Sequence, residues 1–144
     1  MTPPLTGQEK YPAPDLATED DFDGFVSELE QPYTYCWGKR SGRGIVAFVM
    51  FHVIVDEAHV LKVGVSPEFR RQGIARRLLE YSLSKVRALG VRMAYLEVRR
   101  SQSGARALYE STGFRQSGER KDYYGQEEGH IDEREDAILY TLTI

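Results

Sequence analysis

Arg70-Arg71-Gln72-Gly73-Ile74-Ala75 concentrates more chemistry than any other stretch of this sequence. A glycine there admits close backbone approach, and an alanine two residues on leaves the start of a helix uncrowded. The first N–H groups of a helix lack intrahelical acceptors and point outward at the positive end of the dipole, where an anion is favoured. Arg70, Arg71, Arg76 and Arg77 surround that mouth with positive charge. The pattern is neither a Walker A loop, since no Gly-Lys-Ser/Thr follows, nor a GxGxxG turn. By itself R-x-x-G-x-A also describes an arginine-rich helix start on an ordinary surface. His52, His59 and His130 are scattered, Cys36 is the single cysteine, and no Cys/His spacing suits a metal, so none is expected.

The elements that must position this loop follow from periodicity. Ala58–Val65 reads as a strand entering the loop, with Val63, Gly64 and Val65 at its end. Gly64 within an apolar strand suggests a bulge or a close approach. After Ser66-Pro67 the period changes to that of a helix: Ile74, Leu78, Leu79, Ser82, Leu83, Val86 and Leu89 form one stripe, which Gly90 ends. Met93–Arg99 is a strand, and Ala105, Leu108, Tyr109 and Thr112 share one face of a short helix closed by Gly113. Strand–helix–strand over 58–99 predicts two parallel strands joined by a right-handed crossover. Upstream, Thr18-Glu19-Asp20-Asp21 opens a helix bearing Phe22, Phe25, Val26 and Leu29 on one face. Tyr33–Trp37 and Ile45–Val55 read as strands of a hairpin turning at Ser41–Gly44. Phe114–Lys121 and Ala137–Thr143 are the last two strands, with a polar loop at Gly125–Glu135. The expected fold is α/β: a mixed, mostly antiparallel sheet with helices on both faces.

At 144 residues, 41% hydrophobic and 28% charged, the chain suits one globular domain. Residues 1–17 hold four of the six prolines and read as an irregular arm, leaving 18–144 as the domain. The net charge of −3 conceals an asymmetry: net −7 over residues 1–30 and −5 over 126–144 leave +9 over the middle. An acidic protein with a basic centre suits a compact phosphorylated ligand better than a nucleic acid. No run approaches a membrane helix, and the N-terminus lacks the features of a signal peptide, so a reducing cytoplasm is expected.

Val63-Gly64-Val65-Ser66-Pro67 followed by Arg70–Ala75 resembles the acetyl-CoA motif of the GNAT superfamily of N-acetyltransferases. Tyr95–Arg99, Ala107–Phe114, Arg120–Tyr124 and Glu135–Ala137 look like its RimI-type branch, whose members acetylate the N-terminal alanine of a small-subunit ribosomal protein. The resemblance spans roughly residues 18–143. It implies acetyl-CoA as co-substrate, held by Val63, Gly64, Val65, Arg70, Arg71, Gln72, Gly73, Ile74, Ala75, Arg76 and Gln102. It further implies Glu97 as general base and Tyr109 as general acid, and as partner a protein or peptide N-terminus such as that of a ribosomal protein, with no nucleic acid or membrane. An α-amine, with a pKa near 7.7–8.0 against about 10.4 for lysine, is the easier amine to deprotonate.

Two departures stand out. The branch begins with a strand and a helix before the segment matching Thr18–Phe22, and seventeen proline-rich residues are too few for both, so a sheet without its first strand is expected. Gln102 stands where the branch has asparagine, adding a methylene to a cofactor contact. Plainer readings exist: Glu97 as a surface glutamate paired with Arg99, and Tyr109 as a core tyrosine. Alternative functions are acetylation of a small-molecule amine or a lysine side chain, or a non-catalytic acyl-CoA-binding module. Acidic residues 127–136 and 18–30 are expected to wall an acceptor groove that draws basic peptides.

Overall fold

The computed structural model describes residues 30–42, 44–124 and 135–144. The arm at 1–17, the helix opening at Thr18 and the polar loop up to residue 134 lie outside the described residues. The elements are β1 (Thr34–Ser41), β2 (Gly44–Ile54), β3 (Glu57–Val65), a 3-10 turn (Pro67–Phe69), α1 (Ile74–Ala88), β4 (Met93–Arg99), α2 (Ser103–Ser111), β5 (Arg115–Tyr124) and β6 (Glu135–Thr143). They form a six-stranded sheet in the order β1-β2-β3-β4-β6-β5. Only β3 and β4 run parallel, joined through α1 as the strand–helix–strand pattern requires.

Strand alternation divides the sheet into two faces. Trp37, Val49, Phe51, Ala58, Val60, Leu96, Val98, Ile138 and Tyr140 occupy one, in a cluster with Leu79, Leu83 and Val86 of α1 and Tyr109 of α2. Burying each aliphatic side chain there stabilises the fold by about 1.5–3 kcal/mol. Both described helices pack on this helix face. Cys36, Phe48 and Met50 form a separate buried cluster with Ile45. Further along the sheet, the side opposite the helices presents Glu97.

A bulge in β3 decides which side chains meet α1. Met50 pairs with Lys62 but Phe51 with Val60, so Leu61 has no partner and the parity of the strand flips there. Ala58 and Val60 face the helices before the bulge, and Val63 does so after it. Gly64 is not the bulge. A Cβ at Gly64 would lie 2.5 Å from Cε1 of Phe48, its register partner on β2. An aromatic ring packed across the ladder therefore accounts for the glycine.

Pairing between β3 and β4 is brief. It covers Glu57–His59 against Met93–Tyr95 and goes no further. Beyond it the two strands diverge, and β4 continues against β6 as far as Arg99. The resulting opening in the sheet lies between Val60–Val65 and Leu96–Arg99.

Candidate active site

Four side-by-side features build a cleft on the helix face of that opening. Its lining comprises Val63, Gly64 and Val65 from β3; Phe69, Arg70, Arg71 and Gly73 from the loop; Ile74, Ala75 and Arg76 from α1; and Gly104, Ala105, Leu108 and Tyr109 from α2. Its volume is about 660 Å³, within the range of cofactor and ligand sites. Arg71 (φ 62°) and Gly73 (φ 74°) both adopt left-handed backbone, which turns the chain sharply into α1. A Cβ on Gly73 would meet only the Arg77 guanidinium at 3.6 Å, so its backbone angle, not lack of space, calls for glycine.

The start of α1 departs from the usual helix grammar. Gly73 caps it with no side chain, no acid occupies its first turn, and Arg76 and Arg77 stand there instead. Cations at the positive end of a helix are unfavourable in isolation. A bound anion reverses that sign. Arg70 is steadied by donating Nε to the Val65 carbonyl at 3.0 Å, and Arg76 pairs with Glu80 at 3.1 Å.

The opposite side of the opening carries a second cavity of about 650 Å³, lined in part by His59, Leu61, Tyr95, Glu97, Arg120 and Tyr123. Glu97 lies between buried Leu96 and Val98 and points away from them, as strand alternation requires. Its partner is Arg120 at 3.4 Å, not Arg99, which pairs instead with Glu135. Arg120 also lies 5.2 Å from the centre of the Tyr123 ring. His59 and Tyr95 stack with centroids 5.3 Å apart.

Tyr109 is buried against Phe114 and Tyr140 and lines the cleft on the helix face. Its helix is tied to β6 by a short chain: Arg106 donates Nε to the Tyr140 hydroxyl at 3.0 Å, which donates to Glu110 at 2.8 Å. That hydrogen bond holds the Arg106 guanidinium above its ordinary pKa. At the far rim, Glu135 and Asp136 clamp the start of β6. Glu135 accepts from the Ser101 backbone at 2.7 Å and from Arg99; Asp136 accepts from the Asp122 backbone at 3.0 Å and from Arg100. These bonds hold both carboxyls below their ordinary values, with the Ser101 contact the largest cause for Glu135 and the Asp122 N–H for Asp136.

Of the residues assigned to the donor, Val63, Gly64, Val65, Arg70, Arg71, Gly73, Ile74, Ala75 and Arg76 come together around one cleft, with Tyr109. Gln72 and Gln102 are outside its lining: Gln72 is exposed and donates to the Glu68 carbonyl, and Gln102 caps α2 with its backbone. Glu97 lines the other cavity. Sequence reasoning missed Phe69, Gly104, Ala105 and Leu108 as lining of the cleft, and Arg120 as the partner of Glu97. Proximity of Phe69 to the Arg70 loop was a usable signal; Arg120 depends on strand register and gave none. Among the described residues no helix is long and apolar enough to cross a membrane, and no group of three or more His, Cys, Asp or Glu could hold a metal.

Comparison with known proteins agrees with this architecture. A crystal structure of the ribosomal-protein-S18-alanine N-acetyltransferase from Escherichia coli superposes with a TM-score of 0.75 at 35% identity, covering 85% of this chain and 76% of that one. The sequence of the [ribosomal protein bS18]-alanine N-acetyltransferase of Escherichia coli strain K12 is 41% identical over 120 residues, 83% of this chain and 78% of the relative. A GNAT acetyltransferase from Elizabethkingia anophelis with acetyl-CoA bound shares the fold at a TM-score of 0.80 and 18% identity, covering 100% of this chain and 97% of that one. Residues 4–114 match the family model described as Acetyltransferase (GNAT) family, and with a relative this similar the chain belongs to that family of acetyltransferases.

Proposed function

We propose that this acetyltransferase moves the acetyl group of acetyl-CoA to the N-terminal α-amine of a protein, with alanine first and a ribosomal protein as the natural acceptor. The observation that carries the reading is the opening between β3 and β4, with a phosphate-suited cleft on one side and a carboxylate-bearing cavity on the other. The name of the Escherichia coli relative supports the acceptor.

In this reading Arg70–Arg76 and the uncapped start of α1 take the pyrophosphate, with Gln72 and Gln102 as outlying contacts. The β4-facing edge of Val63–Val65 offers main-chain groups to the pantetheine amides and an N–H to the thioester oxygen. Glu97 takes a proton from the acceptor ammonium, directly or through one water. The freed amine nitrogen attacks the thioester carbonyl carbon, forming the C–N bond. The C–S bond then breaks with its electron pair on sulfur, and the Tyr109 hydroxyl gives its proton to the leaving thiolate. The second amine proton leaves to solvent, and Glu97 and Tyr109 return to their starting states by exchange with water.

The test is acetyl transfer to an alanine-initiated peptide, a peptide with lysine as its only free amine, and a small amine. The alanine peptide should be the best acceptor. Glu97→Gln and Tyr109→Phe should each lower kcat about 100-fold, the usual size of an acid–base contribution. Acetyl-CoA affinity by calorimetry should stay put. Near-normal turnover in both variants would remove these roles, and a faster lysine peptide would remove the α-amine acceptor.

A further inference from the structure

Glu97 faces a cation in the structure, and that cation is displaceable. Arg120 and Glu97 are half-exposed, at 53% and 33%, and their 3.4 Å separation is long for a charge-assisted contact. Among the described residues, the contacts of the Arg120 side chain are this ion pair and the face of Tyr123. A guanidinium has five N–H donors, so most of them remain available to the cavity. The backbone beneath is fixed: Arg120 keeps its register opposite Ala137 on β6. Just beyond it the ladder slips, with Asp122 at φ 53° and its N–H bonded to Asp136. The side chain is thus free to swing on an anchored strand.

We propose that Arg120 is a substrate-operated latch on Glu97, and that the acceptor releases it with its own main-chain carbonyl. This rests on the reading of Glu97 as the base. While Arg120 sits on the Glu97 carboxylate, it occupies the place that the acceptor ammonium must take. A peptide brings both halves of an exchange: its ammonium takes the place of Arg120 beside Glu97, and its first carbonyl oxygen accepts from the displaced guanidinium. Tyr123 offers the guanidinium an aromatic face along that path. A simple amine supplies only the first half and must break the pair unaided. Arg120 is therefore a specificity-determining residue that favours peptide acceptors over bare amines of equal basicity.

The experiment compares kcat/KM for an alanine-initiated peptide and for propargylamine, an amine of similar basicity that lacks a carbonyl, in the native protein and in Arg120→Ala. Removal of the latch should raise the propargylamine value by at most about fivefold, since a half-exposed ion pair is worth little. It should lower the peptide value about tenfold or more, through loss of a charge-assisted hydrogen bond. The peptide-to-amine ratio should then fall at least about tenfold, and Arg120→Lys should lie between. Unchanged acetyl-CoA affinity establishes that the variant is folded. A ratio that falls by less than about threefold overturns the latch, including the case in which both acceptors decline together because Arg120 merely steadies Glu97. Glu97→Gln, assayed with both acceptors, tests the base itself: full activity there would sink the underlying reading, whatever the ratio shows.

Discussion

Replacement of Gly73 by valine tests the donor cleft most directly. Gly73 sits at φ 74° with room around its Cα, so the substitution acts through backbone strain and not through collision. An L-residue in the left-handed region costs about 1–2 kcal/mol, and a β-branched one approaches about 3 kcal/mol. The loop is exposed, so it can escape that strain by unwinding locally while the core survives. The cost then appears in binding, because the N–H groups of the loop and of the first turn of α1 lose their alignment. At about 1.4 kcal/mol per tenfold, Gly73→Val should bind acetyl-CoA about 100-fold more weakly with a nearly unchanged Tm. Asparagine tolerates left-handed backbone, so Gly73→Asn should lose only a few-fold. Calorimetric titration of both variants, alongside thermal melts, separates the cases. Unchanged affinity in the valine variant would refute the cleft as the donor site. Equal losses in both variants would show that a side chain of any kind collides with the ligand, contrary to the conformational argument.

Gly64→Ala should lower stability by about 1–3 kcal/mol, because its Cβ would overlap the Phe48 ring, and Phe48→Leu in the same chain should recover part of the lost Tm. Glu135 and Asp136, whose carboxyls titrate lower folded than unfolded, add stability that is present above the ordinary carboxylate range and lost as pH falls through their lowered values. Urea unfolding between neutral and acid pH should therefore show a decline that is shallower in Asp136→Asn than in the native chain. Arg106→Ala should loosen α2 by releasing the Tyr140 hydroxyl, lowering kcat more than acetyl-CoA affinity.

The turn from β3 through Gly73 into α1 was readable from the sequence because everything it needs is local. Strand end, glycine and helix start follow one another within a dozen residues, and the change of period at Ser66-Pro67 marks the boundary. The parallel pairing of β3 with β4 was equally accessible, since the handed crossover constrains it. Gly64 shows the limit of such reading: a close approach was legible there, but not what approaches. Its neighbour Phe48 is sixteen residues away and meets it only through the β2–β3 register, while the true bulge at Leu61 leaves no compositional mark. Alternation placed Glu97 on the face opposite Leu96 and Val98, yet the ion pair considered for it as the plainer reading, with Arg99, is not the one that forms. Arg99 is two residues along the same strand but is drawn away by Glu135, whereas Arg120 comes from β5 by way of β6. The cavity on the side opposite the helices collects His59, Tyr95, Glu97 and Arg120 from three strands, and no spacing along the chain anticipates that.

The parting of β3 and β4 has a kinetic consequence. It makes the sheet a wall with a window, and in the proposed reaction each reactant has its own side of that wall. Neither has to wait for the other to clear the way, so the steady state should show intersecting double-reciprocal lines, with no parallel family from an acylated protein. A folded acceptor can keep its bulk outside and pass only its first residues to the window. The spent carrier can then depart from the rear while the modified chain withdraws from the front.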